Sequence, residues 1–254
     1  MAKTKKYILK GAVNMERVTT GINGFDDKLE GGFVPGSVVL IAGKAGTCKT
    51  LFSASFIYEG VNKNEPGVYI TTEEMESEIK NDLMSVFGWD FSALEQKGII
   101  NFMSIKPIYP DKVLGDADLA KISKFYTYDI SKKIIAAVKA VGAKRLVLDS
   151  ISIFEMFIKD KYLAKISLMT LLEELRKTGV TTIITGEIPE TSDGLSRNEI
   201  VEYLADGVMK LEFVPVSEDF KRTVTIRKMR RTNHSSEIHP FEFNKQGLSI
   251  VKIK

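Results

Sequence analysis

The run Gly43, Lys44, Ala45, Gly46, Thr47, Cys48, Lys49, Thr50 follows the short apolar run 37–42 and leads into a helical pattern at 49–60 that includes Leu51. A glycine-rich turn between a buried strand and a helix aims backbone N–H groups and a helix N-terminus at one point, and that point attracts phosphate. In such a turn the lysine reaches the outer phosphates and the hydroxyl that follows it is placed to ligate Mg²⁺, which assigns those parts to Lys49 and Thr50. The loop departs from the pattern G-x-x-x-x-G-K-[ST] at one position, where Cys48 stands for the second glycine. A side chain there crowds the backbone cradle or demands a costly positive φ. A chance Gly/Lys/Thr cluster in a strand–helix turn is the plain alternative.

Two acidic positions complete the chemistry. The segment RLVLDS at 145–150 ends a buried strand on Asp149. A carboxylate at the end of a parallel strand beside a phosphate loop is placed to hold a Mg²⁺ ion through water. Glu73 and Glu74 follow the strand GVYITT. One of these carboxylates could polarise a water that attacks the terminal phosphate. They could equally be acids favoured at a helix N-terminus by its dipole.

These residues must be carried by a sheet. Strand signals at 37–42, 67–71, 145–149 and 180–186 alternate with helical patterns at 49–60, 73–87, 131–141 and 163–177. That alternation predicts an α/β fold with a mainly parallel twisted sheet and helices on both faces. The tail differs: strand-like pieces at 207–214, 222–229, 238–243 and 248–253 read as antiparallel strands extending the sheet edge. Residues 105–130 carry no clear period and include Pro107, Pro110 and Gly115, so they read as an inserted excursion within one domain spanning 1–254.

Composition sets the outer limits. The chain has 254 residues, 44% hydrophobic and 27% charged, with a net charge of +3. These values exclude global disorder and fibrous repeats. The single cysteine excludes an internal disulfide scaffold and suits a reducing cytoplasm. No apolar run approaches the ~20 residues that span a bilayer. The basic start MAKTKKYILKGAVNM lacks an adequate apolar stretch for a secretory signal. A charge of +3 is too small to argue for nucleic acid by itself.

Taken together, the blocks RVTTGINGFDDKLEGGFVPG (17–36), TTEE (71–74), FGWDFSALEQKG (87–98), VGAKRLVLDS (141–150), LRKTGVTTIITGE (175–187), YLADGVMKLE (203–212) and RKMRRTNHSSEIHPFEF (227–243) resemble the KaiC-like branch of the RecA superfamily of ATPases. The resemblance is to its single-domain archaeal, RadA-paralogue type, and it implies a RecA-like core that binds ATP and Mg²⁺ between neighbouring subunits of a ring or filament. It implies that Glu73 and Glu74 are the catalytic carboxylate pair. It also implies that Lys228 and Arg230 reach the next subunit's γ-phosphate, with His234 near the same nucleotide. Without the resemblance, Lys228 and Arg230 read as a solvated basic strand. The Ser-Thr pair that is phosphorylated in the clock member aligns with Glu202 and Tyr203, so autophosphorylation is not expected.

Recombinases of the wider superfamily bind single-stranded DNA through two loops. The corresponding segments are 151–162, with Phe154, Phe157, Lys159, Lys161 and Tyr162, and 187–199, where Arg197 is the only cation. Aromatic and lysine side chains suit base stacking and phosphate contact, but apolar residues after a strand usually pack into a core. The cluster Arg222, Arg227, Lys228, Arg230 and Arg231 could bind DNA or nucleotide. The expected function is Mg²⁺-dependent ATP hydrolysis, slowed by Cys48, in an accessory to DNA repair or recombination. The alternative is a regulatory module that holds nucleotide with negligible turnover and acts through a protein partner. A third option is a subunit of a mixed ring that supplies Lys228 and Arg230 to another chain's site.

Overall fold

A computed structural model describes residues 16–106, 116–152, 154, 161–192, 194–197, 199–216 and 219–251. The chain order is β1 (Val38–Gly43), α1 (Lys49–Asn62), β2 (Gly67–Thr71), α2 (Glu76–Phe87), α3 (Phe91–Gln96), β3 (Ile100–Ser104), α4 (Asp116–Val141), β4 (Arg145–Asp149), α5 (Lys161–Lys177), β5 (Thr181–Glu187), α6 (Val201–Leu204), β6 (Gly207–Val216), β7 (Asp219–Met229), β8 (Ile238–Asn244) and β9 (Gly247–Ile250). The strands form one nine-stranded sheet in the order β3-β2-β4-β5-β1-β6-β7-β8-β9.

The neighbours from β3 through β6 pair in parallel, whereas β7, β8 and β9 continue the sheet antiparallel. β6 therefore corrects the expectation for the tail. It was expected to be antiparallel, yet it runs parallel to β1, with Val39 opposite Gly207 and Gly43 opposite Leu211. α5, β5 and α6 return the chain to the starting end of the sheet before β6 begins, which makes β6 the last parallel strand.

Strand residues alternate between two cores, as a pleated strand covered on both faces must. Val38, Leu40 and Ala42 of β1 pack with α4 and α5, while Val39 and Ile41 pack with α1 and α2. Trp89 stacks between Tyr58 of α1 and Phe87 of α2, at 4.1 and 4.2 Å between ring centres. This stack fixes the α2–α3 connection, whose helix α3 starts where the Asp90 carboxylate accepts the Ala93 N–H at 2.8 Å. Arg145, fully buried at the start of β4, pairs with Glu65 and donates to the carbonyls of Thr19 and Phe56 at 2.6 and 2.9 Å.

The excursion expected at 105–130 is corrected from residue 116 onward, because Asp116–Val141 is one 26-residue helix. Tyr126, Ile130, Ile134, Ala137 and Val138 bury one stripe of it at helical spacing. Pro107, Pro110 and Gly115, together with Phe157 and Lys159, lie outside the described residues. α3 and β3 were not anticipated as elements. Among the described residues, no helix is long and apolar enough to cross a membrane.

Candidate functional site

β1 delivers the loop to the carboxyl end of the sheet. A Cβ on Gly43 would strike the Thr47 hydroxyl and lie 2.9 Å from the Leu211 carbonyl oxygen, so the backbone closes tightly there. Gly46 takes φ +73°, and Cys48 itself takes φ 73°, ψ 30°. The sequence argument for a costly φ at position 48 is met in the geometry, since a side chain in the left-handed region costs about 1–2 kcal/mol. Lys49 curls under the loop, its Nζ donating to the carbonyls of Gly43 and Lys44 at 2.9 and 3.0 Å. The Thr47 hydroxyl donates to the Lys44 carbonyl at 2.8 Å, and the Lys44 ammonium donates to the Glu190 carbonyl at 2.9 Å. Leu51 belongs to the first turn of α1 and packs at the edge of the core.

Asp149 stands next to this loop because β5 brings β4 within reach of β1. Thr185 of β5 pairs with Ile41 of β1 and lies beside the end of β4. The Asp149 carboxylate accepts hydroxyl hydrogen bonds from Thr50 (2.9 Å), Tyr69 (2.7 Å) and Thr185. The Thr50 hydroxyl donates to Asp149 and still has oxygen lone pairs to offer a cation. One hydroxyl and one carboxylate suit a hard divalent ion that keeps water and phosphate oxygens in its remaining positions. The residues present therefore fit Mg²⁺ held together with a phosphorylated ligand.

Glu73 and Glu74 occupy the exposed turn after β2, ahead of α2 rather than within its first turn. Their placement as helix N-terminal acids is thereby corrected, and the residues in that role are Glu76 and Glu78. The Ser150 hydroxyl donates to the Glu73 carboxylate at 2.6 Å, and the Thr71 hydroxyl donates to the Glu74 carbonyl at 2.9 Å. Burial, followed by the charges of Asp149, Asp82 and Glu73, raises the Glu74 carboxyl above its ordinary value. The two glutamates thus sit in different surroundings, one tied to a hydroxyl and one pushed toward its protonated form.

Arg222 of β7 completes the outer side of the loop. Its guanidinium lies 4.9 Å from the Phe213 ring centre and 5.3 Å from that of Phe243. It stands beside the Cys48 thiol, whose pKa is raised by burial and pulled back in part by this cation. A cavity of about 450 Å³ opens along Phe220, Lys221, Arg222, Pro240 and Phe243. A second cavity, of about 250 Å³, lies between Lys44, Thr47, Glu190, Ser192 and Phe213.

Lys228 and Arg230 are elsewhere. Lys228 pairs with Val208 of β6, which in turn lies opposite Leu40 of β1, three residues or about 10 Å along the strand from Gly43. The Arg230 backbone bonds to Asp206, which bonds to Val38 at the start of β1, so Arg230 lies at the opposite end of that strand from the loop. The Lys228 ammonium donates to the carbonyls of Glu202, Tyr203 and Ala205 at 3.1, 3.3 and 2.7 Å. Burial and the neighbouring Arg230 lower its pKa. Arg230 pairs with Asp206 at 3.4 Å. Both cations line an open cavity of about 690 Å³ with Glu199, Glu202, Tyr203 and Arg227, and it shares no residue with the wall beside Lys44 and Thr47. His234 lies in the turn after β7, its Nδ1 2.9 Å from the Ser235 carbonyl.

A single chain therefore brings together Lys49, Thr50, Asp149, Glu73 and Glu74 and leaves Lys228 and Arg230 apart. Tyr69, Thr185 and Ser150 were missed as site residues, and Arg222, grouped in sequence with Arg227, Lys228, Arg230 and Arg231, lies by the loop, apart from Lys228 and Arg230. A hydroxyl on an otherwise apolar strand, as in Tyr69 and Thr185, is the signal that could have found the first two. Of the segments matched to DNA-binding loops, Phe154 is 2% exposed and packs in the core, so it offers no stacking face. Lys161 and Tyr162 are exposed at the start of α5, and Arg197 is exposed as well.

A parallel sheet whose strand β1 feeds a phosphate loop, with an aspartate two strands away bonded to the loop's threonine, defines a RecA-like ATP-binding fold. The chain belongs to the KaiC family: the family model described as ATPase: KaiC matches residues 18–254. It is 34% identical over 242 residues to circadian clock protein KaiC3 of Synechocystis, covering 94% of this chain but 46% of that protein. It is 32% identical over 246 residues to a UPF0273 protein of Aeropyrum pernix, covering 94% of this chain and 95% of the other. The crystal structure of a KaiC-like protein from Pyrococcus horikoshii superposes with a TM-score of 0.79 at 37% identity, covering 94% of this chain and 100% of that one.

Proposed function

We propose that the chain hydrolyses ATP in the presence of Mg²⁺, as a self-assembled oligomer with nucleotide held between neighbouring copies. The observation that carries this reading is the 2.9 Å hydrogen bond between Thr50 and Asp149, beside the Lys49 loop and the Glu73–Glu74 turn. Backbone N–H groups of the loop and the Lys49 ammonium bind the phosphates. Thr50 and Asp149 would hold Mg²⁺, which when bound would neutralise phosphate charge. Glu74 accepts the proton of the attacking water, because its surroundings raise its pKa and with it its affinity for that proton. Glu73, tied to Ser150, orients that water. The aromatic and guanidinium wall of Phe213, Arg222 and Phe243 suits the stacking of a nucleobase.

Lys228 and Arg230 act on the nucleotide of a neighbouring chain, since the loop of their own chain lies further along β1. A cation supplied in this way stabilises charge that develops in the transition state and ties turnover to assembly.

The test is phosphate release from Mg-ATP by wild type, Glu73→Gln, Glu74→Gln and Cys48→Gly. Each glutamine variant is expected to lose roughly 10²-fold or more in rate. Cys48→Gly is expected to turn over faster than wild type, because the loop then adopts its conformation without strain. Equal background rates in wild type and both glutamine variants would reject the enzyme reading.

A further inference from the structure

Asp206 closes the turn that follows α6, and its two carboxylate oxygens do different work. Oδ2 faces inward and accepts the Val38 N–H and the Arg176 Nε, both at 3.1 Å. Oδ1 remains for Arg230, whose Nη1 lies 3.4 Å away. The main chain repeats the connection: Asp206 N–H donates to the Val38 carbonyl at 2.8 Å, and Arg230 N–H donates to the Asp206 carbonyl at 2.9 Å. The same turn holds Lys228 through the carbonyls of Glu202, Tyr203 and Ala205. The Arg230 side chain is 54% exposed, whereas that of Asp206 is 13% exposed. A long side chain reaching into solvent loses its aim unless something near its base holds it, and Asp206 is the carboxylate placed to do so.

We infer that Asp206 is a positioning residue for Arg230, aiming the guanidinium at the nucleotide of a neighbouring chain. The inference rests on the proposed role of Arg230 in trans and adds the residue that sets its geometry. It also gives the turn 201–206 a purpose beyond joining β5 to β6. Asp206 anchors to Val38, the first residue of the strand that carries the phosphate loop. The aimed cation of one copy is therefore built on the same strand that supplies its own loop.

Asp206→Asn keeps an oxygen for the Val38 N–H and removes the charge that faces both Arg230 and Arg176, so a variant of Arg176 is needed beside it. We expect kcat for ATP hydrolysis to fall roughly 10-fold with KM for ATP within about twofold of wild type. In an Arg230→Ala background the same substitution should cause no further fall, because a residue that acts through another has no effect once that other is gone. Arg176→Gln disturbs the same turn from the α5 side and serves as the structural control. It should lower the melting temperature while leaving kcat within about twofold.

Four outcomes overturn the inference. If Asp206→Asn turns over like wild type while Arg230→Ala is slow, Asp206 alone is misassigned. If Asp206→Asn slows both backgrounds equally, its action lies elsewhere. If Arg176→Gln lowers kcat as much as Asp206→Asn, the role is structural. If Arg230→Ala itself turns over like wild type, the reading of Arg230 in trans fails, and the positioning role fails with it.

Discussion

Glu74 is held in surroundings that oppose its charge. Burial and the carboxylates of Asp149, Asp82 and Glu73 raise its folded-state value, so the folded chain binds a proton there more readily than the unfolded one does. Stability on this account falls as pH rises through the window above the ordinary value of 4.5 and stays reduced at neutral pH. Glu74→Gln removes the charge. Its melting temperature should exceed that of wild type at pH 8, and the difference should close as the pH is lowered toward 4.5. A difference that persists unchanged into acid would mean that the charge is not its cause. At this scale much of the site was legible. Lys49, Thr50 and Asp149 announce themselves because loop chemistry is local and strand ends are easy to place. Tyr69, Thr185 and Ser150 did not, because their importance lies in hydrogen bonds between residues remote in sequence, which no local pattern encodes.

The elements that position the site depend on one buried cation. Arg145 stands at the start of β4, pairs with Glu65 after α1, donates to Thr19 in the lead-in segment and to Phe56 within α1, and stacks at 4.7 Å over the Phe56 ring. Arg145→Met would leave the Glu65 carboxylate and two carbonyls without their donor. The cost is expected to be about 3–5 kcal/mol, read as a shift in the urea midpoint with the slope unchanged. A loss below ~1 kcal/mol would show that water replaces the guanidinium without penalty. Element boundaries were readable where apolar runs are bounded by polar turns, as at 67–71 and 145–149, which match β2 and β4. α4 was read short because Pro107, Pro110 and Gly115 break the pattern just ahead of it. The direction of β6 was hidden for another reason: composition distinguishes a strand from a helix but does not say which neighbour the strand pairs with.

Across the whole molecule, the loop and Arg230 sit at opposite ends of β1. If neighbouring copies meet head to tail, each nucleotide is served by the loop of one chain and the cation of the next. Lys49→Ala destroys the grip, and Arg230→Ala destroys the cation. Each variant alone should be nearly inactive. In an equimolar mixture half the loops are intact, and half of those face an intact neighbour, so about a quarter of the wild-type rate should return. Phosphate release on mixing measures this directly, and a mixture no faster than its components would rule out sharing between copies. The mainly parallel sheet with helices on both faces followed from the alternation of strands and helices along the chain, whereas the order of its strands did not. The separation of Arg230 from Lys49 was not legible, because only the register of β6 and β7 against β1 sends them apart.

Three hydroxyls from three different strands and helices converge on the Asp149 carboxylate. That acid has almost no rotational freedom left to lose when a ligand arrives. The ordering entropy at this position has been spent during folding, so the encounter with a charged guest need not reorganise it. A pocket of this kind trades adaptability for readiness: it accepts a narrow range of geometries and accepts them quickly.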